Sequence, residues 1–208
     1  MKTIIVSAKS PGSLPQALDV LNKGGLVAFP TDTVYGLGAL ALDGSAVESI
    51  YVAKDRPLEK AIPVLLGDAP DLEKVGRDVP DVAYRLADRF WPGPLTIVIP
   101  KAPTLPESVS ATFTVGVRVP DHGVARALLR AAGPMAVTSA NISGQPSPST
   151  AEEVFAQLGG RIDLIIDGGS TPGGVPSTVI DCTGSDLQLL REGPISLEAI
   201  KSKLSSSI

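Results

Sequence analysis

The sequence predicts an α/β fold in a single domain. Short apolar runs of strand length alternate with amphipathic stretches of helix length. The joins between them carry their own signals: polar caps, glycines after helix ends, and prolines. The 208 residues are 43% hydrophobic and 19% charged, with no internal repeat and no long linker, so one core of ordinary size is the economical reading.

In chain order, Ser13 and Gln16 have capping-box spacing before Leu14, Ala17, Leu18 and Leu21, with Gly24 after the helix end. Leu26 to Phe29 reads as a strand. Val34 to Leu42 is a second apolar stretch, broken by Gly36 and Gly38. Ser45 and Glu48 suggest a second capping box for a helix ending near Lys54, and Ile62 to Leu66 reads as a buried strand. Asp78 and Pro80 open a helix through Val82, Leu86 and Phe90, which Trp91-Pro92-Gly93-Pro94 stops. Leu95 to Ile99 and Val115 to Val119 are strands, Val124 to Ala132 is a helix closed by Gly133, and Met135 to Thr138 is a strand. Thr150 and Glu153 start the next helix. Leu164 to Ile166, Thr178 to Ile180 and Leu187 to Leu190 are strands, and Ser196 caps a last helix through Leu197, Ile200 and Leu204.

Several function classes drop out. One cysteine and one histidine leave no disulfide framework and no cysteine- or histidine-clustered metal site. No apolar run approaches the ~20 residues of a membrane span, and the apolar stretch in MKTIIVSAKSPG is too short for a signal peptide, so a cytoplasmic location is the default expectation. A net charge of −4 argues against a surface coated in basic residues, though it leaves room for a basic cleft. Gly36-Leu37-Gly38-Ala39-Leu40-Ala41 fits a loose dinucleotide fingerprint, but no helix opens there. P-loop and G-x-S-x-G motifs are lacking. Cys182 follows a buried-looking strand and reads as a small buried hydrophobe.

Three polar islands remain: Pro30 to Gly36, Lys54 to Lys60, and Thr138 to Ser149. Each has a bland reading as a loop or as a helix-end cation complementing the macrodipole. Together they describe a polar cleft at strand ends suited to an anion. Arg118 sits inside a short apolar strand on the face of Gly116 and Pro120, where it lines a cleft or occupies an exposed edge.

These islands, in this order, resemble the YrdC/Sua5 family, the threonylcarbamoyl-AMP synthases of tRNA modification. The matching stretches are Phe29 to Gly38, Lys54-Asp55-Arg56-Pro57, Val117 to Pro120, Ser139 to Gly144, Pro176 to Asp181 and Arg191-Glu192-Gly193, spanning about Leu14 to Ile200. The resemblance implies a twisted mixed β-sheet flanked by helices with a cleft at the strand ends. It further implies one catalytic domain over 1–208 of the short type, with a core of about 14–200 and a frayed tail at 205–208. Such enzymes join L-threonine, bicarbonate or CO2 and ATP into threonylcarbamoyl-adenylate, releasing pyrophosphate. A transferase complex then moves the group to N6 of adenosine 37 in tRNA.

On the implied reaction a carbamate anion attacks the α-phosphate of an anionic nucleotide. Two like charges at ~4 Å repel by about 1 kcal/mol in water and several-fold more in a cleft, so fixed cations should carry catalysis. The resemblance makes Lys54, Arg56, Ser139 and Asn141 the catalytic signature, K-x-R…S-x-N. It places Arg56, Lys60, Thr114, Ser139, Ser147 and Arg191 on ATP, and Thr33, Arg118 and Ser177 on L-threonine. Mg²⁺ is expected through the ATP phosphates, with no metal site on the protein itself. The sequence departs from many members in lacking a proline soon after Lys60, and Thr112 is an alternative to Thr114 across Phe113. Competing readings are a non-catalytic double-stranded RNA or tRNA-binding module, a carbamoyl-adenylate domain like that of hydrogenase maturation factors, and an inactive paralogue.

Overall fold

A computed structural model describes residues 2–172 and 175–205. In chain order the elements are β1 (Ile4–Ser7), α1 (Ser13–Asn22), β2 (Val27–Phe29), β3 (Gly36–Leu40), α2 (Gly44–Lys54), β4 (Val64–Leu65), a 3₁₀ turn (Ala69–Lys74), α3 (Asp81–Phe90), β5 (Leu95–Pro100), β6 (Thr114–Arg118), α4 (Gly123–Ala132), β7 (Met135–Ser139), α5 (Ala151–Leu158), β8 (Leu164–Asp167), β9 (Thr178–Asp181), β10 (Gln188–Arg191) and α6 (Leu197–Ser205). The strands form one sheet in the order β1-β8-β2-β3-β7-β4-β6-β5-β9-β10. It is mixed: β1/β8, β2/β8, β4/β6 and β5/β9 pair parallel, and the other neighbours antiparallel. This is the α/β class the sequence predicts. Of the tail expected to fray, Ser205 ends α6 and 206–208 lie outside the described residues.

The caps differ from expectation in two places. Ser13 is the first residue of α1 rather than its cap; it is buried and donates its hydroxyl to the Ser10 carbonyl at 2.8 Å. At α2 the cap is Asp43, whose Oδ1 accepts from the Ala46 amide at 3.1 Å and from the Ser45 hydroxyl at 2.7 Å. A carboxylate two residues upstream wins because an ionised acceptor caps at least as well as serine and complements the helix dipole. Thr150 and Ser196 cap α5 and α6 as expected. Gly36 and Gly38 lie within β3 and open no helix, which removes the dinucleotide reading. Strand β1 was not anticipated. It pairs only with β8 and exposes Ile4 and Ile5, so it shows no in–out alternation.

Each face of the sheet has its own apolar layer. On one face Leu37, Ala39, Val64, Ile97, Val117, Ala136 and Ile180 pack with residues of α2, α3, α5 and α6, including Ile50, Leu86, Leu158 and Ile200. On the other, Val27, Phe29, Leu65, Met135, Val137 and Leu164 pack with Ala17 and Leu21 of α1 and Leu128 and Leu129 of α4. Burial of a side chain of this size stabilises the fold by roughly 1.5–3 kcal/mol. This second layer draws no residue from β5, β6 or β9. Over those strands the face opens into a cavity.

Candidate active site

The cavity measures about 380 Å³. Register dictates what it presents. Leu65 pairs with Arg118, Thr96 follows as the next neighbour across β6 and β5, Thr96 pairs with Val179, and Val179 with Arg191. These five residues stand level across the sheet with their side chains on the open face. Along β6 the lining runs from Arg118 through Gly116 to Val115. At about 3.3 Å per residue that stretch of the cavity floor is roughly 10 Å long. The cleft expected at the strand ends thus extends back over the open face. Gly116 leaves that floor clear: a Cβ there would stand 3.1 Å from the Thr96 methyl and 3.6 Å from Pro63.

Arg118 is buried at one end of the floor, and its hydrogen bonds can be counted. Nε donates to the Gly93 carbonyl at 3.0 Å, Nη1 to the Thr33 hydroxyl at 3.3 Å, and Nη2 to Asp32 Oδ1. A guanidinium carries five N–H groups, so one remains on each terminal nitrogen. The loop joining β2 to β3 prepares the acceptor. Thr31 donates its hydroxyl to the Val34 carbonyl at 2.6 Å, so in the 3.0 Å contact of Thr31 with Thr33 it is Thr33 that donates. The Thr33 oxygen is then free to accept from Arg118. Burial draws the Arg118 pKa below its ordinary value, and Asp32 opposes that shift.

At the far edge of the row, Arg191 donates from Nε and Nη2 to the Ser177 carbonyl at 3.0 and 2.9 Å, and from Nη2 to the Ser177 hydroxyl at 3.2 Å. That hydroxyl lies 2.7 Å from Thr96 Oγ1. The third guanidinium is Arg56, just past the left-handed Asp55 (φ 51°) that ends α2. It donates to the carbonyls of Lys60 at 3.1 Å and Ala61 at 2.9 Å. Arg56, Arg118 and Arg191 all line the cavity, and among the described residues no Asp or Glu does. The enclosure therefore favours an anion.

Lys54 is placed differently from its sequence expectation. Its side chain is buried, absent from the cavity wall, and donates from Nζ to the carbonyls of Ser139 and Asn141. Its own carbonyl accepts from the Ser143 amide at 2.8 Å. Burial, with Arg56 nearby, pushes its pKa down to about 7. Asn141 also stands behind the wall, its Nδ2 donating to the carbonyls of Ile142 and Gln145 at 2.8 Å each. Both residues shape the loop whose Ser139 and Ser147 do reach the cavity. Lys60 is exposed and contributes its backbone carbonyl, while Thr114 sits outside the lining in a hydroxyl chain with Thr112 and Ser110, of which Ser110 faces the cavity. Tyr35 ties the surrounding loops: its hydroxyl donates to the Gly169 carbonyl at 2.7 Å, and its amide to the Pro148 carbonyl at 3.0 Å.

The sequence model of the Sua5/YciO/YrdC family, described as telomere recombination, matches residues 19–193. The chain belongs to that family. A Pyrococcus abyssi protein named threonylcarbamoyl-AMP synthase is 46% identical over 187 residues, covering 89% of this chain and 55% of that protein. A Bacillus subtilis protein of the same name is 46% identical over 191 residues, covering 90% and 55%. The chain thus spans about half the length of these curated relatives. The structure of P. abyssi Sua5 complexed with L-threonine superposes with a TM-score of 0.92 at 43% identity, over 98% of this chain and 61% of that one.

Within this Sua5/YciO/YrdC fold the cavity gathers Thr33, Arg56, Arg118, Ser139, Ser147, Ser177 and Arg191, and it leaves Lys54, Lys60, Thr114 and Asn141 outside its lining. Sequence reasoning gave no role to Thr31, Asp32 or Thr96. Thr96 carried the same signal as Arg118, a polar residue within an apolar strand, but threonine is a common strand former and drew no notice. Cys182 is buried with its thiol pushed up to about 12, in keeping with a packing residue. No helix among the described residues is long and apolar enough to cross a membrane.

Proposed function

We propose that this chain is a threonylcarbamoyl-AMP synthase, forming threonylcarbamoyl-adenylate and pyrophosphate from L-threonine, bicarbonate or CO2, and ATP. The observation that carries the reading is a cavity walled, among the described residues, by three guanidiniums and no carboxylate, in a chain whose relatives bear that name. L-threonine brings a carboxylate, the carbamate formed on its nitrogen is a second anion, and ATP brings a triphosphate.

Arg118 grips the amino-acid carboxylate. Its Nε is committed to Gly93, so the two remaining protons, one on each terminal nitrogen, form a bidentate end-on pair. Thr33 and Ser177 surround the rest of the amino acid. Arg56 and Arg191 hold the nucleotide together with the hydroxyls of Ser139 and Ser147, and Arg56 stabilises the charge that builds as the carbamate attacks the α-phosphate. The carbamate is itself the nucleophile at the α-phosphate, so that step needs no general base; forming it from the threonine ammonium group and CO2 releases two protons, which pass to solvent. Mg²⁺ would be carried on the triphosphate, where it would neutralise phosphate charge. Lys54 and Asn141 act through the loop they brace, and Lys60 acts through the carbonyl it offers Arg56. The product passes to a transferase complex for N6-threonylcarbamoyladenosine formation in tRNA.

The test is pyrophosphate release from ATP and bicarbonate with L-threonine, with L-serine and with no amino acid, alongside mass detection of the adenylate. Release that depends on L-threonine supports the reading. Salt-sensitive tRNA binding with no release of pyrophosphate favours the RNA-binding alternative.

A further inference from the structure

We propose that Thr96 is a specificity-determining residue for the side-chain hydroxyl of the amino-acid substrate, a role that rests on the synthase reading above. Thr96 is buried, lines the cavity and stands next to Arg118 in the row that continues through Val179 to Arg191. Its orientation is fixed from both sides. Its methyl group lies over Gly116, and its hydroxyl lies 2.7 Å from that of Ser177. A β-branched side chain has few rotamers, so methyl and hydroxyl do not exchange places freely.

Counting protons gives the pair its character. Arg191 can only donate, so its 3.2 Å bond takes a lone pair of Ser177 Oγ. The Thr96 and Ser177 hydroxyls hold two protons, and one is spent between them. One proton and at least one lone pair are left to face the cavity. A substrate hydroxyl both donates and accepts, so it satisfies both. Thr96 neighbours Arg118 on the adjacent strand, so an amino acid held by its carboxylate on Arg118 lies beside this pair. A substrate without the hydroxyl leaves a buried donor unpaired, which is how a site rejects an isostere lacking the group.

The experiment compares L-threonine with L-2-aminobutyrate, which keeps the methyl group and lacks the hydroxyl, in the wild type, Thr96→Val, Thr96→Ser and Thr96→Ala. The readouts are pyrophosphate release and direct binding by calorimetry. The wild type should prefer L-threonine by roughly a hundredfold or more in kcat/KM. Thr96→Val should cut that ratio about tenfold or more, through a higher KM for L-threonine and a lower one for L-2-aminobutyrate, and Thr96→Ser should keep it. Thr96→Ala should give the same loss of preference, and it decides the matter if Thr96→Val does not fold. A wild-type ratio in both Thr96→Val and Thr96→Ala overturns the proposal while leaving the synthase reading in place. A wild type that neither binds nor turns over L-threonine overturns the synthase reading, and the role of Thr96 with it.

Discussion

Arg118 and Asp32 form an ion pair with both side chains largely buried, 7% and 13% exposed. Asp32 uses Oδ1 for the guanidinium, and Oδ2 is buried with no hydrogen-bond partner among the described residues. A buried carboxylate is costly, and here its function is to fix the plane of Arg118. Arg118→Ala should therefore raise KM for L-threonine by about a hundredfold, with KM for ATP little changed. Asp32→Asn keeps the shape but weakens the hold, and it should raise KM for L-threonine by about tenfold. Steady-state kinetics with each substrate varied in turn check both. An unchanged threonine KM in Arg118→Ala would refute the placement of the carboxylate.

Arg56 makes its hydrogen bonds only to carbonyls of the adjoining exposed loop, Lys60 and Ala61. Removing it leaves the core untouched. Arg56→Ala should lose adenylate formation by a factor of about a thousand, the scale expected for a cation that stabilises transition-state charge, while melting close to the wild-type temperature. Single-turnover pyrophosphate release together with a thermal melt separates the two effects. Wild-type turnover would contradict the assigned charge.

Lys54 should behave in the opposite way. Lys54→Met strands the Ser139 and Asn141 carbonyls in a buried position, at a cost of about 1–3 kcal/mol each. Loss of activity should come with loss of stability and with faster amide exchange at Ser143 and Ala140. A variant as stable as the wild type would show that the loop does not need this brace.

The lowered pKa of Lys54 also has a pH signature. From its folded value of about 7 up to the ordinary lysine value of 10.5, the unfolded chain binds a proton that the folded chain does not. Stability rises with pH wherever the unfolded state holds more protons. The wild type should gain stability relative to Lys54→Met as pH rises through that window, with no such gain below about 7. Urea titrations at pH 6.5, 8 and 9.5 read the difference, at pH values chosen about the ends and middle of that range. A flat difference would remove the burial argument.

The contrast between Lys54 and Arg118 shows what the sequence could convey. Arg118 was legible because a guanidinium inside Val-Arg-Val has to be explained by whatever its strand faces. Lys54 closes a helix, where a lysine reaches solvent as readily as it turns inward. The loop that covers it comes from residues 139–143, far away in sequence. Most strands and helices were legible from apolar runs and their punctuation. The exceptions have local causes: β1 is an edge strand with exposed isoleucines, and the 3₁₀ turn at Ala69–Lys74 starts at Asp68-Ala69-Pro70-Asp71, which reads as a loop until Asp68 and Asp71 are seen to cap it reciprocally. The row from Arg118 through Thr96 and Val179 to Arg191 joins four strands by register, and no local pattern could reveal it.

On the proposed reading one cavity holds an amino acid and a nucleotide side by side on the open face of the sheet. A crystal structure with L-threonine and a non-hydrolysable ATP analogue would show both. The threonine carboxylate should lie on the terminal nitrogens of Arg118, with phosphate oxygens within reach of Arg56. Threonine bound elsewhere, or a nucleotide outside this cavity, would contradict it.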